Sequence, residues 1–443
     1  MVLQRRTVRG LFAAAFLMLA TLSSLHAQSG PLAELIPELF DRTIVLETTA
    51  HQAHFVDSSR GLIEAGVLIN DSIVSQLGTL PITSSSGGFT YTFDSDLGVM
   101  TRSSESFGPI FAERAATIGK GKWNVGINTS HYQYDSLDGL DLDAGEITQS
   151  FTHLDTNHDG STVETVYEGD LIYADARLDL SQDVTVFSAT WGASDRFDLA
   201  FAIPLVKVSL KAALDTHILR LATQGLETPP AHQFADGADE EDYLDSGTAS
   251  GVGDIQLRGK LALTKKEHGG FAVGLDVRLP TGDEEELLGT GATAARLQVL
   301  GSATFGRLAT HLNIGYTAAD LTDSSSADLS DEMGFVLAAD LAVHERVTLV
   351  GEVLWRTLLD ATTLEVGEAQ HLYRRFDSNQ VTVTTRPILI AGKDDINIVN
   401  AVIGAKWNLF GQVLVSTHLM MAIGDEGLRD TDLIPTIGID YSF

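Results

Sequence analysis

From Trp123 onward, apolar and polar residues alternate repeatedly over about ten residues, the period of a strand whose two faces meet different surroundings. Phe271, Val273, Leu275, Val277 and Leu279 share one face, while Ala272, Gly274, Asp276 and Arg278 share the other. Just before them, Ile255, Leu257, Leu261 and Leu263 oppose Asp254, Gln256, Arg258 and Lys260. Leu312, Ile314 and Tyr316 oppose His311, Asn313 and Thr317, and near the C-terminus Ile437, Ile439, Tyr441 and Phe443 oppose Thr436, Gly438, Asp440 and Ser442. A soluble sandwich alternates too, so the connections must discriminate.

Short connections near Ser194-Asp195, Lys265 to Gly270, Gly306-Arg307, His344-Glu345 and Phe410-Gly411 alternate with long ones near 135–178, 210–252, 280–295, 319–332, 359–398 and 424–432. This segregation predicts an all-β fold, an antiparallel transmembrane β-barrel of about 12 strands, with short periplasmic turns, long outer loops and its first and last strands starting and ending on the short-turn side. Trp123, Trp191, Trp355 and Trp407 fall near strand ends, joined by Phe197, Phe305, Tyr316 and Phe443, as expected of aromatic girdles at the two membrane interfaces. The terminal Tyr441-Ser442-Phe443 resembles the signature by which outer-membrane barrels are recognised for assembly, which makes the assembly machinery an expected partner of Phe443.

Ahead of the barrel (residues 122–443) the rhythm is different. Arg5, Arg6 and Arg9, the apolar run Leu11 to Leu22 and the small residues up to Ala27 read as a signal peptide over 1–27; twelve apolar residues are too few to cross roughly 30 Å of hydrocarbon. In residues 28–121, Leu32, Leu35, Ile36, Leu39 and Phe40 recur at helical spacing after Pro31, Ser84 to Gly88 marks a loop, and Thr90 to Phe93 suits a short strand. This segment is expected to plug the barrel, to cap it on the periplasmic side, or to add strands.

Charge refines the picture. With 29 Lys+Arg against 60 Asp+Glu, the formal charge of −31 repels polyanions, so nucleic acid is not an expected partner. The absence of cysteine rules out disulfides and lipid attachment at a thiol. Residues 135–170 hold ten Asp or Glu and 227–245 hold seven, with no Lys or Arg in either; they belong outside, beside outer-membrane lipid and lipopolysaccharide whose phosphates are bridged by divalent cations. By parity Asp254, Arg258, Lys260, Asp276, Arg278, Glu352, Arg356 and Lys406 point inward and are the candidate lumen-lining residues. Charges of both signs there require water or partners, supplied by a plug or by cross-strand ion pairs.

Two groups of residues bear on metal binding and catalysis. Asp155-Thr156-Asn157-His158-Asp159-Gly160 opens like a calcium loop, with Asp155, Asn157 and Asp159 as candidate ligands, but Val166 stands where the bidentate glutamate belongs and Glu164 comes two residues early; a plain Asx-turn is the alternative. Ser416 and His418 share an inward face and His311 lies inward on another strand, with no third member or oxyanion loop, so no enzyme and no cofactor is expected.

Specific strings then carry a resemblance. Ser106 to Tyr134 (SFGPIFAERAATIGKGKWNVGINTSHYQY) and Gly251 to Gly282 (GVGDIQLRGKLALTKKEHGGFAVGLDVRLPTG), followed by a strand ending Phe305-Gly306-Arg307 and by Leu308 to Tyr316, resemble the outer-membrane family labelled "meta-pathway of phenol degradation" over roughly residues 100–443. That family is related in architecture to barrels that import hydrophobic compounds through an N-terminal hatch. The resemblance implies a bacterial outer-membrane channel for passive uptake of small hydrophobic or aromatic compounds, and places no substrate-binding residue. A structural or adhesive barrel is the alternative, and an outer-membrane hydrolase a distant third.

Overall fold

The computed structural model describes residues 30–443 apart from 42–45, 47–54, 80, 86–87, 95–98, 103, 156–157, 159–162, 164, 227–231, 235–236, 267, 323–324, 326–328 and 431. The expected signal peptide, and Asn157, Asp159 and Glu164 of the acidic loop, lie outside the described residues.

Twelve strands close a barrel: β1 Trp123–Tyr134, β2 Leu171–Gly192, β3 Phe197–Leu219, β4 Gln256–Lys266, β5 Gly269–Arg278, β6 Ala294–Phe305, β7 Leu308–Ala318, β8 Glu332–His344, β9 Val347–Arg374, β10 Val381–Phe410, β11 Val413–Ile423 and β12 Ile434–Ser442. Each pairs antiparallel with the next, and β12 returns to β1 from Thr436↔Ser130 to Ser442↔Asn124. Closure leaves no edge of unpaired backbone groups at membrane depth. Two further strands lie in the same sheet: Glu240–Val252 prolongs β4 along β3, and Ile147–Thr152 runs along the far part of β2. All five expected short turns are present, and Gly306 (φ 63°) and Gly411 (φ 54°) supply the left-handed backbone two of them need.

Large apolar side chains are exposed on the outer face of every barrel strand, among them Ile127, Phe201, Leu261, Leu275, Leu297, Ile314, Leu337, Val353, Ile403, Met421 and Ile437. Such a continuous band would be intolerable in water and is the lipid face of an outer-membrane barrel. Trp123 and Trp191 are cross-strand partners that stack at 5.9 Å, and Tyr441 stacks on Phe443 at 5.6 Å, both pairs at the short-turn end.

The long connections differ from expectation. Much of 135–178, 210–252 and 359–398 is strand: β2 and β3 stay in register from Gly192↔Asp198 out to Leu171↔Leu219, and β9 and β10 out to Arg374↔Val381. A membrane crossing takes about 9–11 residues, whereas β9 and β10 contain 28 and 30. The remainder rises beyond the lipid, where polar residues on the outer face are unpenalised; Arg177–Asp215 and Lys211–Asp179 pair there at 2.7 Å.

Along these tall strands the apolar face changes sides. In β3, Leu199 and Phe201 face lipid while Asp198 and Ala202 face in; farther out Lys207 and Lys211 face water, and Val206, Val208, Leu210, Ala212 and Leu214 face in. The inward apolar residues form a cup around two helices, α1 Leu32–Asp41 and α2 Val56–Leu77. Leu32, Leu35, Ile36, Leu39 and Phe40 form the buried stripe of α1, as its spacing predicts. Helix α2 has no counterpart among the expected elements; its Ala65, Ile69, Ile73, Val74 and Leu77 are buried against the same cup. Each fully buried Leu, Ile or Phe contributes about 1.5–3 kcal/mol. The helices meet where Gly66 passes Pro37, since a Cβ on Gly66 would stand 3.0 Å from Pro37 Cα.

Candidate functional site in the lumen

Below the helices, the described residues of 81–118 descend through the barrel to its short-turn end, where Gly121 N–H donates to Gly192 O at 2.7 Å. Apart from an antiparallel pair, Tyr91–Asp94 with Val99–Arg102, where a short strand was expected at Thr90 to Phe93, this segment has little regular structure, so its backbone polar groups need partners from elsewhere. The barrel wall provides them, strand by strand. Phe107 N–H donates to Thr348 Oγ1 at 3.0 Å, Ala115 N–H to Ser302 Oγ at 2.9 Å, and Ile118 N–H to Asp198 Oδ2 at 3.1 Å. Glu113 and Asn313 exchange two bonds, Glu113 N–H to Oδ1 at 2.6 Å and Nδ2–H to Glu113 O at 2.9 Å. Thr190 donates to Ser85 O at 2.8 Å. Partners on β2, β3, β6, β7 and β9 surround the segment, which places it inside the lumen.

The inward charges read from parity are positioned as follows. Glu352 accepts the consecutive N–H groups of Ile110, Phe111 and Ala112, and Lys406 donates to Pro109 O at 2.5 Å, so both grip one bend of the segment. Arg258 grips Asp276 in bidentate fashion, at 2.7 and 2.9 Å, and also pairs with Glu113 of the segment. Lys260 lies 3.4 Å from both Glu113 and Asp198. Asp254 accepts from Gly282 N–H (3.0 Å), Thr290 N–H (2.9 Å) and Thr290 Oγ1 (2.8 Å), tying down the β5–β6 connection. Arg278 donates to Gly78 O at 3.0 Å, where a cation complements the C-terminal end of α2. Arg356 donates to Glu332 at 2.8 and 3.0 Å. The eight residues thus face inward, where they hold inserted chain, an outer connection or one another. Of the acidic-loop residues, Asp155 is the described candidate calcium ligand, and its backbone carbonyl lies 3.0 Å from His158 Nδ1.

Beyond these eight, the site contains Asn313, on the face that alternation sets opposite Leu312 and Ile314, and Glu113, Arg296, Gln298 and Glu332, which are not among the expected residues. Strand β6, AARLQVLGSATF, alternates Arg296 and Gln298 with Leu297 and Val299, so the parity rule applied there finds two of them. Glu332 sat at the boundary of an expected loop. Glu113 had a weaker signal, a charge within a mostly apolar and small-residue stretch ahead of the first strand.

Ser302, His311 and Asp340 form a row, with Ser302 Oγ to His311 Nδ1 at 2.8 Å and His311 Nε2 to Asp340 Oδ1 at 2.7 Å. The Ser302 hydroxyl and the Asp340 carboxylate thus hold the two ring nitrogens of His311 in place. Ser302 also accepts the Ala115 N–H, so the row supports inserted chain.

Between the segment and the β4–β9 half of the wall lies a cavity of about 130 Å³. Four arginines line it, Arg258, Arg278, Arg296 and Arg356, with Glu113, Asp276 and Glu332; Ile82, Phe111, Val336 and Leu354 give it an apolar side.

No curated protein shows a significant sequence match to the chain. Among solved structures, a COG4313 outer membrane channel from Pseudomonas putida F1 is similar at 12% identity and a TM-score of 0.43, over 74% of this chain and 98% of that one. A FadL homologue from Pseudomonas aeruginosa is similar at 8% identity and a TM-score of 0.33, over 82% and 98% of the two chains. The TodX monoaromatic hydrocarbon channel, as its deltaS2 mutant, is similar at 11% and 0.33, over 82% and 97%. At these scores no residue role is transferred. The family described as "Putative MetA-pathway of phenol degradation" matches residues 154–363, from just before β2 into β9, and the resemblance carried by the Gly251 to Gly282 string stands on that match.

Proposed function

We propose that the protein is an outer-membrane channel for passive uptake of small hydrophobic or aromatic compounds, with residues 81–118 as its closing element. One observation carries this reading: the lumen is filled by a segment that lies outside the barrel ladder and is anchored to the wall by hydrogen bonds and ion pairs, such as Glu352 to Ile110, Phe111 and Ala112, beside the packing of Phe107 on Leu414 and of Ala115 on Ala272 and Leu300. Polar bonds of this kind exchange readily with water, so the segment can leave at modest cost while the barrel ladder stays intact. The family description, which names phenol degradation, supports an aromatic solute. Selectivity would come from the wall and from the position of the segment, with solute moving down its gradient. Phe443, stacked at the short-turn end, is the residue we propose to engage the assembly machinery.

Single-channel conductance, and uptake of phenol into deletion cells, test the reading for the intact chain and for a variant lacking residues 28–121. Larger or more frequent conductance in the shortened variant, with faster uptake, is expected. No conductance in either form and unchanged uptake overturn the channel; the tall outer hairpins would then favour the adhesive reading.

A further inference from the structure

We infer that the arginine-lined cavity is a binding site for a small organic monoanion, a carboxylate on an apolar and preferably aromatic body. This deepens the channel reading by naming a solute class, although the binding itself can be measured whether or not solute passes.

The arginines are unequally matched. Arg258 is satisfied by two carboxylates and Arg356 by the nearer oxygen of Glu332. Arg296 hydrogen-bonds to no protein group among the described residues; its nearest carboxylate oxygen, Glu332 Oε1, is 3.7 Å from Nη1, and its Nε is buried and unpartnered. Arg278 spends one nitrogen on Gly78 O, while its Nε, also buried and without a hydrogen bond, stands 4.0 Å from an Asp254 oxygen already committed to Thr290. The lining therefore holds four guanidinium groups and three carboxylates, with Asp254 behind Arg278 as a fourth, and the guanidinium nitrogens without a hydrogen bond belong to Arg278 and Arg296. Buried arginine donors are costly to leave unused, and a carboxylate matches their fork geometry.

The wall is shaped around Arg296. Gly315 and Gly334 are cross-strand partners on β7 and β8, and both face it: a Cβ on Gly315 would stand 2.7 Å from Arg296 Nε, and one on Gly334 would collide with Nη2. Two facing glycines clear a notch in which the Nε and Nη2 side of the guanidinium lies against the strands, while the side chain as a whole lines the cavity. Phe111, Ile82, Val336 and Leu354 supply the surface for the apolar body. Inorganic anions would leave that surface unused, and a neutral arene would leave the guanidinium donors unpaired.

Isothermal titration of the full-length protein in detergent with benzoate tests the inference, with benzyl alcohol as the neutral analogue and acetate as the carboxylate without a ring. Saturable benzoate binding, at least tenfold tighter than either analogue, is expected. Arg296→Gln should weaken it about tenfold to a hundredfold, with partial recovery in Arg296→Lys. Glu332→Gln removes the competing carboxylate and should tighten it. The heat-modifiable gel shift establishes that each variant is folded, and Glu332→Gln gives an answer even where an Arg296 variant is not. Benzyl alcohol binding as tightly as benzoate overturns the anion, acetate binding as tightly overturns the aromatic body, and benzoate affinity indifferent to both positions overturns the site. Conductance without benzoate binding would refute this inference and leave the channel standing; binding without conductance would do the reverse.

Discussion

Removing the Glu352 carboxylate should release the inserted segment without unfolding the barrel. Glu352 is 4% exposed on the inner face of β9. One of its oxygens accepts from Ile110 and Phe111, and the other accepts from Phe111 at 2.9 Å and Ala112 at 3.0 Å. A hydrogen bond to a charged group is worth about 1.5–3 kcal/mol net. Three donors share one carboxylate, and in the released state they regain water, so the whole grip is worth little more than one such bond, about 2–3 kcal/mol. At 1.4 kcal/mol per factor of ten, Glu352→Ala should raise the ratio of open to closed channels about 30- to 150-fold. Glu352→Gln should recover part of the grip, because its amide oxygen can still accept from Ile110 and Phe111 while its NH2 opposes the Ala112 N–H. Glu352→Asp keeps the charge, shortens the reach and should fall between. Planar-bilayer recording gives the fraction of time spent conducting, with the gel shift and thermal unfolding as controls for the barrel. A folded Glu352→Ala channel that conducts no more often than the parent refutes the reasoning, since the segment would then be held by something other than this grip.

Ile69→Ala, in the buried face of α2, should cost about 2–4 kcal/mol of helix docking through the cavity it leaves; protease sensitivity of residues 55–79 should rise while the barrel keeps its gel shift. On the lipid face, Leu275→Lys, within the apolar run of β5, should destabilise the barrel by about 2–4 kcal/mol, measured by unfolding from lipid vesicles, whereas Ser209→Lys, on the water-facing side of the upper β3, should cost almost nothing. His371, in the outer part of β9, is buried and donates to Gly169 O at 2.9 Å; burial holds its pKa below the ordinary 6.5. Because the folded state favours the neutral ring, its contribution to stability is complete above 6.5 and is lost as pH falls below it. Hydrogen-exchange protection of the outer β9–β10 hairpin should therefore drop on going from about pH 7.5 to about pH 5, and His371→Gln, which keeps a donor and does not titrate, should remove that part of the drop. Deleting Phe443 should lower outer-membrane insertion more than it lowers refolding into vesicles; equal effects would reduce its role to packing against Tyr441.

Most of the barrel was legible because lipid imposes one simple rule on it. Each membrane-level strand must turn apolar residues outward, so Phe271, Val273, Leu275 and Val277 could be assigned to one face, and the inward charges opposite them followed by parity. The same rule hid the tall hairpins. Above the lipid, water lies outside and the helices inside, so the preference reverses while the strand continues. In β3 the sequence FDLAFAIPL has its apolar residues at odd positions, and VKVSLKAAL has them at even ones. The shift of phase at Leu205-Val206 reads along the chain as the end of one strand and the start of something irregular, yet the backbone ladder passes through it unbroken from Phe201↔Ala189 to Leu214↔Ala176. A phase reversal in mid-strand is thus a mark of the membrane boundary itself. The N-terminal segment was opaque for a related reason. Helix α2 and residues 81–118 are shaped by surfaces supplied by other parts of the chain, an apolar cup for the one and polar wall groups for the other, and neither surface has a local period. Glu352 and Ile110 are 242 residues apart. Parity could say that a carboxylate pointed into the lumen, but the backbone it holds became visible only once the chain was folded around it.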